Sequence, residues 1–121
     1  MPNLNKLFIM GHITRNPELK YTTKGVGVCK LGVAVNDDFN KEKVSFFNVT
    51  AFDMGNRKLA EIIESNFNKG DAIFLEGKME QDRWEDKEGN KRVDWNMIVN
   101  DFKFLGGKKK DGKEEEEKTP F

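Results

Sequence analysis

Residues 44–79 read VSFFNVTAFDMGNRKLAEIIESNFNKGDAIFLEGKM, and this stretch decides the fold. Its first nine residues are dense in phenylalanine and β-branched side chains, which favours a β-strand. Four apolar residues then recur at helical spacing, and the basic residue and glycine of Asn68-Lys69-Gly70 predict the end of a helix. These four residues are Leu59, Ile62, Ile63 and Phe67. The run AIFLEGKM follows as another strand, so one helix separates two strands.

The segments on either side of this stretch have the period of two that β-strands show. LFIMGHI at residues 7–13 alternates, and GVGVCKLGVAVN at 25–36 has three glycines that predict a bent, twisted strand. After the turn residues EDKEGNK comes a long strand, RVDWNMIVNDFKFL. The order predicts an all-β, five-stranded barrel with one short helix between strands 3 and 4. The OB-fold has its helix in that place and binds oligonucleotides on one face.

Composition excludes several classes of protein. The apolar runs are about four residues long, far short of the ~20 that a membrane helix needs, so we expect no membrane contact. The chain has a single cysteine, Cys29, and a single histidine, His12, which leaves neither an internal disulfide nor a four-ligand zinc site. We therefore expect no metal and no cofactor. The first residues lack the pattern of a secretory signal, which favours a cytoplasmic location.

The charges of this chain balance, with 21 Lys and Arg against 21 Asp and Glu, so net charge predicts no partner. The composition changes at Gly106, because the following residues contain no aliphatic side chain and cannot bury enough apolar area to fold. We expect a folded domain at 1–105 and a disordered tail. The tail divides into a short flexible linker at 106–113 and an acidic tip at 114–121.

Aromatic and basic residues stand together at several places in the folded part. Lys20 precedes Tyr21, Phe39 lies near Lys43, and Arg83 precedes Trp84. Every base has a π-face, so exposed aromatic rings bind single strands without regard to sequence, and neighbouring Lys and Arg meet the phosphates. The pattern indicates binding of single-stranded nucleic acid.

Six segments in register resemble bacterial single-stranded DNA-binding proteins. They are MGHITRNPELKYTTKG, FFNVTAF, KLAE, NKGDAIFLEGK, RWEDKEGNKR and the final TPF, and the resemblance covers residues 3–121. It implies an OB-fold, a homotetramer and a nucleoid-associated, non-enzymatic protein. Such a protein binds and protects single-stranded DNA in replication, recombination and repair. It also implies recruitment of replication and repair proteins through the acidic tip.

The resemblance and the clusters together predict the site residues. Base stacking is assigned to Phe39, Phe46, Phe52, Trp84 and Tyr21. Phosphate contact is assigned to Arg15, Lys20, Lys24, Lys43, Arg57, Lys58, Lys78, Arg83, Lys91 and Arg92. Partner binding is assigned to Glu114, Glu115, Glu116, Glu117, Pro120 and Phe121, because carboxylates with an exposed aromatic can dock into a basic-rimmed apolar pocket.

Two kinds of alternative stay open at this stage. Phe46 and Phe52 share one strand face, and that face could be the core, whereas Trp95 is expected in the core or in a subunit interface. The function could instead be that of an OB module that binds a protein or structured RNA. Catalysis has little to build on, since one histidine and one cysteine offer no recognisable constellation.

Overall fold

Six strands and one helix follow one another in residues 2–105, the part of the chain that the computed structural model describes. They are β1 (Leu7–Ile13), β2 (Glu18–Tyr21), β3 (Gly27–Asn36), β4 (Val44–Phe52), α1 (Leu59–Asn66), β5 (Ala72–Glu85) and β6 (Lys91–Phe104). The predicted all-β class with a single helix is confirmed. The predicted acidic tip and linker lie outside the described residues.

Five of the strands close into a ring in the order β1-β5-β6-β4-β3, with β3 returning to β1. The closing pair is short, since His12 opposes Ala34 and Ile13 opposes Val33. All neighbours are antiparallel except β4 and β6, which run parallel. This is the predicted five-stranded OB-fold barrel. In chain order, α1 follows β4, the third strand of the ring, and precedes β5, the fourth. The four-residue β2, which extends the sheet beyond β3, is an addition to the prediction.

The barrel interior is filled by alternate residues of the ring strands. Leu31, Val33, Val49, Leu75 and Met97 have almost no exposed surface, and each is followed or preceded by a residue that faces outward. Burial of such apolar side chains contributes about 1.5–3 kcal/mol each to folding. The period of two therefore fixes which face of every strand is available to a ligand.

Helix α1 packs its apolar face against the barrel, with Leu59, Ala60 and Ile63 buried. Its first turn is capped from a distance, because the Asp53 side chain accepts hydrogen bonds from the backbone N–H groups of Ala60 and Glu61 at 2.9 and 3.3 Å. A carboxylate at this position also interacts favourably with the positive, N-terminal end of the helix dipole. Asp53, which directly follows β4, therefore fixes the start of the helix relative to the end of β4.

The end of α1 differs from the prediction. The helix stops at Asn66, and Phe67 is already extended, because its buried ring stacks on Phe104 with the two centroids 4.9 Å apart. Gly70 is not the C-cap. It lies in the following turn at φ +93°, a conformation that favours glycine, and its N–H donates to the Ile13 carbonyl at 2.7 Å.

The hairpin of β5 and β6 extends well past the barrel. Its strands are 14 residues each, yet the buried positions end at Met97 on β6 and Gly77 on β5. Trp95 lies beyond them and is 53% exposed, so it is not part of the core of this chain as described. No helix in residues 2–105 combines the length and the apolar character that a membrane span requires.

Candidate nucleic-acid interface

The outer face of β3 and β4 carries two of the predicted stacking residues. Phe46 opposes Ala34 and Phe52 opposes Val28, whereas the alternate residues Val49 and Ala51 fill the barrel interior. Phe46 is 73% exposed, and Phe52 is half-buried. The core alternative for these two phenylalanines is therefore wrong for the described structure.

Phe39 lies at the tip of the loop between β3 and β4 and is 96% exposed. The loop is held by Asp37, whose carboxylate accepts hydrogen bonds from the backbone N–H groups of Phe39 and Asn40 at 3.0 and 2.8 Å. The N–H of Asp37 in turn donates to the Lys43 carbonyl at 3.0 Å. This loop presents an aromatic ring to solvent on a turn whose backbone groups are satisfied.

Trp84 lies near the tip of the β5–β6 hairpin and is half exposed. Its partner across the hairpin is Arg92, whose Nε donates to Asp86 at 2.9 Å. The pKa of Asp86 is lowered, first by the N–H of Asn90 and then by Arg92. An aromatic ring and a guanidinium therefore stand side by side on a turn that Asp86 organises.

Three predicted cations share the outer face with these rings. Lys20 and Phe52 both oppose Val28, from β2 and from β4, so they lie in one row across the sheet. Lys78 of β5 belongs to a second row of directly paired residues. This row crosses β6 at Ile98 and β4 at Thr50 and reaches Lys30 on β3. The Arg15 guanidinium lies against Gly32, where a side chain of any other residue would displace it.

The other predicted residues are dispersed. Lys24 and Lys43 are exposed in turns, and Lys58 is exposed at the start of α1. Arg57 donates to the Asn100 carbonyl at 3.1 Å and forms a 3.2 Å ion pair with Asp101. By strand alternation, Arg83 and Lys91 lie on the face of the hairpin opposite to Trp84.

Tyr21 does not join the phenylalanines. It opposes Gly27 on the other face of β2, and its hydroxyl donates to Glu61 of α1 at 2.8 Å. This hydrogen bond is the main reason why the pKa of Tyr21 is raised. The ring thus packs over the start of the helix, and stacking by Tyr21 stays a prediction.

Sequence reasoning missed a groove between the barrel and the hairpin. The groove is open to solvent and has a volume of about 260 Å³ on the outer face, and its polar lining comes from four strands and Arg15. Besides Arg15, that lining is Lys30, Asn48, Thr50, Asp82, Asp94 and Asn96. Strand alternation could have indicated this groove. Lys30 is two residues from Val28, so both side chains face the same side of a strand whose other residues are small or apolar.

The described residues offer ring faces, cations and polar side chains rather than a reactive centre. Burial raises the pKa of the Cys29 thiol to about 12, which keeps it protonated and weakly nucleophilic. Within residues 2–105, no three His, Cys, Asp or Glu side chains come together in a way that could hold a metal ion. The arrangement is suited to stacking and to ion pairing.

A five-stranded ring of strands with one helix between β4 and β5 defines the class of this protein as an OB-fold barrel. The model of the single-strand binding protein family matches residues 4–105. This chain therefore belongs to the single-strand binding protein family.

Three relatives are each named a single-stranded DNA-binding protein. The chain is 32% identical over 112 residues to the protein of Neisseria meningitidis serogroup A, a match that covers 88% of this chain and 62% of that protein. It is 40% identical over 91 residues to the Thermus thermophilus protein, a match that covers 74% of this chain and 33% of that protein. It is 31% identical over 119 residues to protein 1 of Xylella fastidiosa, with 93% and 85% covered.

Proposed function

We propose that this chain binds single-stranded DNA without sequence dependence, as a non-enzymatic protein that protects exposed strands in replication, recombination and repair. One observation carries the proposal. Phe46 and Trp84 present solvent-exposed rings on outward-facing positions of the barrel and its hairpin, and the rows of cations lie on the same outer face. The names of the relatives agree with this function.

The proposed mechanism divides binding between rings and cations. Each base that stacks on an aromatic ring contributes about 1–3 kcal/mol, and all four bases have a π-face. Lys20, Lys30, Lys78 and Arg92 meet the phosphates and displace counterions, so affinity falls as salt rises. The described part carries equal numbers of acidic and basic residues, which favours modest affinity at high salt.

A fluorescence titration tests this proposal. Trp95→Phe leaves Trp84 as the reporter, and Trp84→Phe leaves Trp95 as the matched control. We expect oligo-dT to quench Trp84 more strongly than Trp95, because Trp95 lines the groove but opposes Gln81, on the face of the hairpin opposite to Trp84. The affinity is expected to be lower at higher salt. Competition with duplex DNA and with structured RNA completes the test. Preference for either competitor, or no binding by the folded protein, would contradict the proposal and favour the module that binds RNA or protein.

We also propose a homotetramer. Residues 7–11 of β1 pair with β5 on one side and show no pairing on the other side within the described residues, so they leave an open strand edge. Phe8 and Met10 are each 56% exposed on the outer face of this strand. The ring of Phe8 stacks on that of Phe74, with the two centroids 6.1 Å apart. An open edge beside an apolar face favours self-association.

Light scattering tests the assembly. The expected mass is four times the 14.0 kDa of the chain. The double variant Phe8→Glu, Met10→Glu is expected to reduce it, whereas Ile62→Glu, which changes an exposed apolar residue of α1, leaves it unchanged. A monomeric wild-type protein at micromolar concentration would contradict the tetramer.

Partner recruitment is the third part of the proposal. Domain 1–105 binds DNA, residues 106–113 connect it to the tip, and residues 114–121 bind replication and repair proteins. Glu114 to Glu117 with Pro120 and Phe121 combine negative charge with one aromatic ring. We expect Phe121→Ala to abolish capture of such proteins in pull-downs and to leave DNA binding intact. Unchanged capture would contradict this role. Such a protein would be cytoplasmic and nucleoid-associated.

A further inference from the structure

The groove on the outer face has a basic end and an acidic end. The strands that form it lie side by side in the order β3, β4, β6, β5. Lys30 lies on β3, and the Arg15 guanidinium rests against Gly32 of the same strand. Asp94 and Asp82 lie on β6 and β5 at the other side. Within the lining of the groove, the cations therefore lie on one side and the carboxylates on the other, although Glu18 of β2 opposes Lys30 just outside that lining.

The acidic end does not serve the fold in any visible way. Asp82 and Asp94 directly oppose each other across the hairpin, and like charges in such a pair are destabilising. Neither forms an ion pair with a residue of 2–105, although Asp94 accepts the backbone N–H of Trp95 at 3.2 Å. Two such carboxylates are unexpected on a face that binds a polyanion, because they repel phosphate.

The position of the pair resolves this difficulty. Asp82 precedes Trp84 by two residues and Asp94 follows Arg92 by two, so the pair lies one pleat, roughly 7 Å, from Trp84 towards the barrel. The groove lies on the same outer face as Trp84 and Phe46, so a strand bound to that face can enter it. The carboxylates repel its phosphate there, whereas Arg15 and Lys30 attract it, so the base is turned towards the acidic end.

We propose that this groove holds one nucleotide, with its phosphate at Arg15 and Lys30 and the amino edge of its base at Asp82 and Asp94. A carboxylate only accepts hydrogen bonds. Cytosine offers the N4 amino group to it, and adenine offers N6, whereas thymine and uracil present the O4 oxygen at the equivalent place. The groove thus favours bases with an amino group over thymine and uracil. This inference rests on the proposed function and adds to it a small base preference at one position, within binding that otherwise tolerates every sequence.

Oligo-dC and oligo-dU of equal length test the preference most cleanly. Both are pyrimidines without a methyl group, and they differ on the Watson–Crick edge. Fluorescence anisotropy of the labelled oligomers at slightly alkaline pH, where cytosine is neutral, gives both affinities. We expect the wild-type protein to bind oligo-dC about fivefold tighter, near the low end of discrimination by a polar base contact. This comparison requires no variant, so it does not depend on the folding of a mutant.

The double variant Asp82→Ala, Asp94→Ala then assigns the preference to the pair. It is expected to bring the ratio of the two affinities close to one. Glu80→Ala is the matched control, because Glu80 lies on the same face at the next position of β5, opposite Asn96. Loss of its charge is expected to strengthen binding of both oligomers equally and to leave the ratio unchanged. Thermal unfolding checks that each variant is folded.

The possible outcomes separate the two proposals. Equal wild-type affinity for oligo-dC and oligo-dU overturns the base preference and leaves single-strand binding intact. The base preference is also overturned if the double variant still binds oligo-dC more tightly than oligo-dU. It is overturned too if Glu80→Ala removes the difference between the two affinities as fully as the double variant does. If the folded wild-type protein binds neither oligomer, the proposed function itself fails.

Discussion

Two groups of aromatic residues in this molecule differ in their surroundings. Phe67, Phe102 and Phe104 form a cluster at the base of the barrel, with ring centroids 4.9–5.7 Å apart. We call these three residues the basal cluster. Phe39, Phe46, Phe52 and Trp84, the outer aromatics, make no ring contact within residues 2–105. Residues of the same chemical type thus serve the fold in one place and face solvent in the other.

The difference shows that aromatic content by itself predicts little. Edge-to-face and stacked pairs of the basal cluster add about 0.5–1.5 kcal/mol each beyond burial. An exposed ring such as Phe39, by contrast, contributes little to stability in the free protein. The outer aromatics are therefore free to gain their contacts from a ligand. Variants of the two groups should therefore change different properties, stability for the basal cluster and affinity for the outer aromatics.

Phe67→Ala is expected to destabilise the fold by about 3–5 kcal/mol, because it removes a buried ring and leaves a cavity beside Phe104. Urea unfolding followed by circular dichroism measures this change. Phe39→Ala is the control and should alter the free energy of unfolding by less than about 0.5 kcal/mol. Equal effects of the two variants would remove the distinction between the groups.

Phe46→Ala and Trp84→Ala are expected to lower the affinity for oligo-dT by about 1–3 kcal/mol each, since each deletes one stacking surface. Stability should stay nearly unchanged, because both side chains are at least half exposed. Anisotropy titration at fixed salt measures the affinity. A variant that binds as tightly as the wild-type protein would show that the ring in question does not stack on a base.

Lys30→Ala is expected to reduce the dependence of affinity on salt by about one unit in the log–log slope, since one phosphate contact is lost. The control is Lys103→Ala, because Lys103 opposes Phe74 near the far end of β6. Titrations at several salt concentrations give both slopes. An unchanged slope for Lys30→Ala, or an equal loss for Lys103→Ala, would contradict the placement of the phosphate.

The smallest effect concerns pH and the turn that supports Trp84. Asp86 has a lowered pKa in the folded chain, so its carboxylate stabilises the fold above the ordinary carboxyl range, and this contribution is lost as pH falls through the folded pKa. Asp86→Asn should therefore be less stable than the wild-type protein at neutral pH. The difference should vanish in acid. Urea unfolding at both pH values measures it, and a difference that persists in acid would contradict the assignment.

Much of the fold was predictable because it follows from local patterns. Alternation located the ring strands, and the spacing of Leu59, Ile62 and Ile63 located the helix. The helix end was not predictable, since Phe67 has helical spacing and only its packing on Phe104 shows that the chain is extended there. The four-residue β2 was missed for a similar reason, because its pairing with β3 decides it.

The candidate site could be proposed from the sequence as a set of residue types, whereas its geometry could not. Phe46 and Trp84 could be selected because each stands in a recognisable motif, and both are exposed on outward-facing positions. Tyr21 shows the limit, since its position relative to Glu61 depends on how α1 packs. Lys30, Asp82 and Asp94 come together only through the register of four strands, which no local pattern specifies.

Photocrosslinking tests the central claim most directly, which is that the outer aromatics stack on bases and the basal cluster does not. An oligomer with 5-iodouracil at every position is bound to the wild-type protein, irradiated and digested, and mass spectrometry locates the adducts. We predict adducts at Phe46 and Trp84 and none at Phe104, although Phe104 is 58% exposed. Adducts at Phe104 with none at Phe46 or Trp84 would contradict the account.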